Sequence, residues 1–125
     1  MSHLATYLLP TMLATVVVFH LLVILKIIPY TIVWGSRLTN DQAMYRFEAL
    51  SLSINLLFLW IGLVKAGWLA EWWPPITTTI ALWAMAALFA LNTFGNLASK
   101  NRFEKLVFTP LTVILAVSCV ILALN

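Results

Sequence analysis

The chain has 125 residues, of which 63% are hydrophobic and 9% are charged, and its formal net charge is +3. A mean hydropathy of +1.02 leaves too little polar surface to cover a water-soluble particle, so the composition excludes a soluble globular domain and predicts an integral membrane protein. The basic residues form no patch with interleaved aromatic side chains, and we therefore expect no nucleic-acid partner.

Four apolar runs are each long enough to cross a hydrocarbon core of about 30 Å as a helix of about 20 residues. The period-two alternation of strands is absent, and backbone groups in lipid must bond within their own segment, so the runs predict helices. We expect these helices near Ala5 to Ile28, Met44 to Ala66, Pro75 to Asn92 and Phe103 to Leu124. Residues 1–125 are therefore predicted to form one transmembrane domain, an all-α four-helix bundle. A cleaved signal peptide has Lys or Arg before its apolar run, and the first run here has neither. We therefore expect the first run to remain as a helix.

Caps and prolines mark the predicted helix ends. Thr39, three residues before Gln42, has the spacing of a capping box at the second helix, where Asn40 or Asp41 can equally be the cap. Asn101 can cap the fourth helix. Gly67 is expected to end the second helix and Pro75 to begin the third. Pro110 lies inside the fourth run, where we expect a kink, because a helix restarted there would be only about 24 Å long.

The basic residues are distributed unevenly among the predicted loops. Lys65 flanks the second loop, and the other six lie around the first and third: Lys26, Arg37, Arg46, Lys100, Arg102 and Lys105. Because Lys and Arg are enriched in cytoplasmic loops, we expect loops one and three in the cytoplasm and both termini outside, as in a bacterial inner-membrane protein. Trp68, Trp72 and Trp73 in loop two are typical of the opposite headgroup layer.

The string Arg-Phe-Glu-x-Leu begins both the second and the fourth run, with Arg46 and Arg102 separated by 56 positions. Each copy follows an aromatic-Gly pair and a polar loop, Trp34-Gly35 and Phe94-Gly95, which favours a duplicated helical hairpin. Since loops one and three are expected on the same side, we predict two tandem hairpins related by a pseudo-two-fold axis along the membrane normal.

This arrangement gives the repeated charges a structural role. Arg46 and Glu48 are two positions apart on a helix, so they face nearly opposite directions and cannot easily pair. Two related hairpins allow reciprocal ion pairs instead, Arg46 with Glu104 and Arg102 with Glu48. The alternative is simpler: the arginines follow the positive-inside rule, and the glutamates interact with the helix dipole.

Polar residues inside the predicted spans are the candidates for a functional site, because they are costly in hydrocarbon. One face of the second helix carries a polar stripe that we expect to face protein: Glu48, Ser51, Asn55 and Gly62. The opposite face is expected to contact lipid: Leu50, Leu57, Ile61 and Val64. Asn92 and Asn96 on the third helix are expected to cap its carbonyls or to bind a partner helix.

His20 lies about 12 Å from the predicted end of the first helix, at a depth where Ser51 or Asn55 can meet it. It can act as a proton-relay group, as a haem or metal ligand, or as a hydrogen-bonded packing residue, and the last role is the commonest. The sequence contains no metal-spaced cluster, no phosphate-binding loop and no nucleophile beside a base. We therefore expect no metal and no cofactor, and an enzymatic activity has little support in the sequence.

Three functional interpretations follow from these residues, and the third, a lipid-modifying or redox enzyme, has the least support. An accessory or assembly subunit would pack the polar stripe and small-residue faces, such as Gly62 with Ala66 and Ala86 with Ala90, against partner helices. A translocation unit would use the stripe with His20 to bind a small molecule or ion, within a homo-oligomer. The sequence favours the first interpretation, with the lipid bilayer and either a partner membrane protein or further copies of the chain as the expected contacts.

Overall fold

The computed structural model describes residues 2–32 and 38–125. Trp34, Gly35 and Arg37, which enter the predicted repeat and the charge pattern, lie outside these residues. The described part of the chain forms four α-helices and one short 3-10 helix, Tyr30–Ile32: α1 spans Ser2–Ile24, α2 Asp41–Lys65, α3 Pro75–Leu97 and α4 Arg102–Ala123. All four α-helices are long and apolar enough to cross a membrane, which confirms the predicted all-α membrane bundle.

Helix α1 ends four residues earlier than predicted, because the backbone turns back at Lys26. The φ angle of Lys26 is +61°, a left-handed conformation that usually requires glycine. The amide of Ile27 donates to the carbonyl of Leu22 at 3.0 Å, and that of Lys26 to the carbonyl of Val23 at 2.9 Å, which satisfies carbonyls of the last turn. Helix α2 ends with the same geometry at Gly67, as predicted, with a φ of +84°.

The predicted caps begin α2 and α4. The Asn40 side-chain oxygen accepts the amide of Ala43 at 2.8 Å, and the Asn101 oxygen accepts the amide of Glu104 at 3.1 Å. With Asn40 as cap, α2 begins three residues before the predicted start. Helix α4 continues through Pro110, so the helix does not restart there.

The helices are arranged around the bundle in chain order, with α1 packed along both α2 and α4, and α3 packed along α4. Helices α2 and α3 make few contacts with each other. A two-fold relation between the hairpins would make the α1–α4 and α2–α3 interfaces alike, and these interfaces differ. The duplication and its two-fold axis therefore stay predictions, and the α2–α3 interface departs from that symmetry.

The two copies of Arg-Phe-Glu-x-Leu have matching environments. Glu48 and Glu104 are both buried, and both arginines are exposed. The leucines that end the strings, Leu50 and Leu106, are exposed to a similar extent, 57% and 61%. The two strings therefore present the same positions to protein and to the outer surface.

Two apolar clusters hold the bundle together. The larger cluster fills the half of the bundle near loop two, with fully buried Leu9, Leu13, Leu82 and Cys119 at its centre. The smaller cluster joins Val23, Leu38 and Met44 and neighbouring side chains at the end of α1 and the start of α2.

Polar contacts support the smaller cluster in loop one. Lys26 forms an ion pair with Asp41, and the Tyr30 hydroxyl donates to the same carboxylate at 3.0 Å. The hydrogen bond with Asp41 raises the pKa of Lys26 above its usual value, so this lysine stays charged at neutral pH.

The expected lipid-facing side of α2 is only half correct. Leu50 and Leu57 are exposed, but Ile61 and Val64 are buried. Ile61 belongs to the larger apolar cluster, against which Trp73 of loop two also packs. In its last two turns, α2 is therefore covered by protein on the face that the helical periodicity predicts to contact lipid.

Gly62 provides a test of how closely α1 and α2 pack. A Cβ atom at Gly62 would lie 3.6 Å from the Leu9 side chain and 3.8 Å from that of Leu13, which is ordinary contact. We expect Gly62→Ala to keep or raise stability, and Gly62→Leu to lower the free energy of unfolding by about 1–3 kcal/mol through overpacking. Thermal unfolding in detergent, followed by helical circular dichroism, measures both.

The matched control for Gly62 is Gly95, where a Cβ atom meets nothing within 4 Å. Gly95→Leu should unfold at the wild-type temperature. Wild-type stability of Gly62→Leu would contradict the close α1–α2 contact.

Candidate functional site

A buried acid–imidazole pair joins α1 to α2. Nδ1 of His20 donates to Oε2 of Glu48, whose side chain is fully buried, while the His20 side chain is 16% exposed. Because α1 ends at Ile24, His20 lies only about 6 Å from the end of its helix. A carboxylate enclosed by protein is stable only when charged or hydrogen-bonding groups face it, and His20 is one such group.

His20 and two residues of the polar stripe of α2, Ser51 and Asn55, line one cleft. The cleft has a volume of about 750 Å³ and lies where α2 and α3 separate, toward loops one and three. All four helices contribute to its walls. Besides His20, its polar lining includes Ser51, Asn55, Asn92, Asn96, Glu104 and Thr112.

The cleft ends near the middle of the bundle. Its lining on α4 runs from Glu104 to Leu115, which is about 16 Å along a helix and about half of a hydrocarbon core of about 30 Å. Leu115 and Phe89, at its floor, both belong to the larger apolar cluster. The cleft is thus accessible from one end of the bundle and closed by packed side chains toward the other.

The α2 wall offers hydrogen-bonding groups to the cleft. The Asn55 amide nitrogen donates to the carbonyl of Ser51 at 2.8 Å, which fixes the side chain against its own helix. Within the described residues, no hydrogen bond uses the Asn55 side-chain oxygen or the Ser51 hydroxyl. Both groups are half-buried and can bind a ligand or water in the cleft.

The α3–α4 wall contains a polar cluster of which sequence reasoning named only Asn96, as a cap or as a group that binds another helix. Thr93 donates to the Thr112 hydroxyl at 2.9 Å, and the Asn96 amide reaches the same hydroxyl at 3.4 Å. Thr112 in turn donates to the carbonyl of Phe108 at 2.9 Å. Asn96 lies inside α3, which continues to Leu97, so it does not act as a C-terminal cap. The signal in the sequence was the concentration of polar residues in the last turns of an apolar run.

The ion pairs predicted between the two hairpins are not among those that the described residues form. The described residues form two ion pairs, His20–Glu48 and Lys26–Asp41, and neither involves Arg46 or Arg102. The pairs Arg46–Glu104 and Arg102–Glu48 therefore stay predictions. Glu104 is buried and lines the cleft one turn inside α4.

Comparison with known protein families, with curated proteins and with solved structures gives no match to this chain. Its function must therefore be inferred from the chemistry of the cleft. That chemistry consists of hydroxyl and amide groups, the His20 imidazole that bonds Glu48, the Glu104 carboxylate and the Lys100 ammonium, all within or beside the candidate membrane spans.

A double-mutant cycle tests the acid–imidazole pair. We expect His20→Ala and Glu48→Ala each to lower the free energy of unfolding, and the double variant to lose about 1–3 kcal/mol less than the sum of the two losses. Reversible unfolding in mixed micelles measures these values. The control combines His3→Ala with Glu48→Ala, whose effects should add; additive losses for His20 and Glu48 would show that they do not interact.

Thiol labelling tests whether the cleft holds water. In a Cys119→Ala background, Asn55→Cys should react with a membrane-impermeant thiol reagent at least about ten times faster than Leu50→Cys, because thiolates form in water and not in lipid. Leu50 is a strict control, since it is 57% exposed on the outer face of α2 and lies closer to loop one than Asn55 does. Equal rates at the two positions would mean that the cleft is dry.

Proposed function

We propose that this chain is a translocation unit of a bacterial inner membrane, which admits a small hydrogen-bonding ligand into the cleft between α2 and α3. One observation carries the proposal: hydroxyl and amide groups with unused hydrogen-bonding capacity line a cleft that extends to about half the depth of a hydrocarbon core. Such groups are costly in lipid, and a ligand or water that binds them offsets this cost.

The size and lining of the cleft favour a ligand over a partner helix. A volume of about 750 Å³ falls within the range of about 300–1,000 Å³ that is typical of small-molecule sites. A groove for a partner helix is lined by apolar anchor pockets, whereas amides and hydroxyls occur on three of the four walls here.

The distribution of basic residues supports access from the cytoplasm. Six of the seven basic residues flank loops one and three, where the cleft has its mouth. The ligand would enter from that side and stop at the apolar floor. His20 lies about 6 Å from the end of α1, so the ligand would pass its imidazole ring before reaching the floor.

Movement to the other side requires the larger apolar cluster to open. Helices α2 and α3 are the neighbouring pair with few contacts, so their separation disrupts the least packing. The α3–α4 hairpin, held by the Thr93–Thr112 hydrogen bond, would move against α1 and α2 as a rigid pair.

The accessory or assembly role that the sequence favours has less support. It relied on small-residue faces, but Gly62 is in contact with Leu9 and Leu13 of the same chain, and Ala86 is buried in the larger cluster. These residues are therefore engaged within the bundle. A homo-oligomer remains compatible with translocation, with each copy carrying its own cleft.

Substitution of Asn55 tests the proposal. We expect Asn55→Leu to retain or raise thermal stability, since it removes a polar group from the span, and to reduce translocation at least about ten-fold through loss of one ligand hydrogen bond. The assay uses purified protein in liposomes and two kinds of probe: water-soluble solutes (glycerol, glycerol 3-phosphate and ammonium) and fluorescent phospholipids.

Ser53→Leu is the matched control, because Ser53 is exposed and bonds only the carbonyl of Ala49 on its own helix. It should leave all fluxes unchanged. Failure of the wild-type protein to move any probe faster than empty liposomes would overturn the proposed function.

A further inference from the structure

The cleft opens sideways as well as toward loops one and three. Leu91 lines the cleft and is 67% exposed, so a single side chain of α3 borders both the cleft and the outer surface. Asn92 and Gly95 also line the cleft and are exposed. Since the outer surface of a membrane-spanning helix contacts lipid, this edge of the cleft is continuous with the bilayer.

Gly95 leaves a gap at the centre of this edge. A Cβ atom built there meets no atom within 4 Å, so the space beside α3 is empty at this point. Helices α2 and α3 make few contacts with each other, so close helix–helix packing does not seal this edge of the cleft. The open space beside Gly95 therefore offers a hydrocarbon chain a route from the cleft to the outer surface.

Asn92 places an amide at this opening. The side chain is exposed and forms no hydrogen bond with another residue among those the structure describes. It lies about 7 Å inside the end of α3, where an exposed amide facing only hydrocarbon would be costly. A polar group that lies within the bilayer beside α3 removes this cost.

Lys100 supplies a positive charge at the mouth of the cleft. It lies in loop three, is exposed, and forms no ion pair with the described residues. An ammonium group at headgroup depth attracts phosphate. Asn92 and Asn96 are one helical turn apart on α3, and Lys100 lies just beyond the end of that helix. All three line the cleft, so a charged group at its mouth precedes two amides further in.

We propose that the ligand of the cleft is a membrane glycerophospholipid. Its phosphate binds Lys100 at the mouth, its polar head and ester groups bind Asn92, Asn96 and the α2 wall, and its acyl chains leave past Gly95 into the bilayer. This assignment rests on the proposed translocation function and names its substrate class. The chains remain in lipid throughout, so the cleft needs to hold only the head.

Phospholipid exchange between leaflets provides the test. Purified protein is reconstituted in liposomes of phosphatidylethanolamine and phosphatidylglycerol with a trace of acyl-chain-labelled phosphatidylglycerol, and dithionite quenching reports the label that reaches the outer leaflet. We expect the wild-type protein to exceed empty liposomes at least about ten-fold, and Gly95→Phe to lose most of this gain because its ring fills the lateral gap. Gly95→Ala should keep at least half of it.

A second variant removes the dependence on one bulky side chain. Asn92→Leu leaves the gap open but deletes the amide, and it should slow lipid exchange about ten-fold while thermal unfolding stays at the wild-type temperature. If Gly95→Phe proves unstable, Asn92→Leu alone decides the role of this edge.

Glycerol and glycerol 3-phosphate fluxes separate the two levels of the proposal. Suppose that Asn55→Leu abolishes a soluble flux, while lipid exchange is either absent or unaffected by both Gly95→Phe and Asn92→Leu. This result overturns the phospholipid assignment and leaves translocation intact. No flux of either kind overturns both. A stable dimer that Gly95→Phe converts to monomers, without lipid exchange, identifies a second copy as the occupant of the gap and also overturns the assignment.

Discussion

Hydrocarbon offers polar groups no partners, and this constraint organises the two halves of the bundle differently. In the half near loop two, the helices are packed through Leu9, Leu13, Leu82 and their neighbours. In the other half, hydroxyls and amides face a cleft, and the one fully buried carboxylate, Glu48, has the imidazole of His20 beside it. The apolar packing of the first half stabilises the bundle, and the second half keeps its polar groups beside one another and beside the cleft.

The loose α2–α3 interface follows from the same constraint. Helices without bulk water between them associate through close packing and interhelical hydrogen bonds. Helices α3 and α4 have both, since Thr93 and Asn96 bond Thr112, and α1 and α2 have the His20–Glu48 pair. No hydrogen bond among the described residues joins α2 to α3, and few contacts do. The α1–α2 and α3–α4 hairpins are therefore each firmly joined, and they share the α1–α4 interface. The bundle can open on the α2–α3 side while both hairpins stay intact.

Much of this fold could be predicted from sequence, because hydropathy and caps are local signals. Segment length and composition identified four spans, and Asn40, Gly67 and Asn101 marked three helix ends correctly. The end of α1 was missed, since a lysine in a left-handed conformation leaves no sign in the sequence. The partner of Glu48 was missed for a different reason: His20 is 28 residues away, and only the packing of α1 on α2 brings them together. The polar stripe was visible, whereas the cleft depends on the spacing of α2 and α3, which no local pattern encodes.

The string Arg-Phe-Glu-x-Leu occurs twice, but the residues that follow it differ between α2 and α4. At the offset of 56 residues, Ser51 corresponds to Val107 and Asn55 to Leu111, so the two hairpins share a polar start and diverge one turn further in. Val107 is exposed, and Leu111 contributes an apolar contact to the cleft opposite the α2 wall. If both hairpins carried the stripe of α2, α4 would also present unbonded groups, and the firm α1–α4 contact would weaken. One polar hairpin against one apolar hairpin is thus the combination that gives a hydrogen-bonding site without losing the packing that holds the bundle in the membrane.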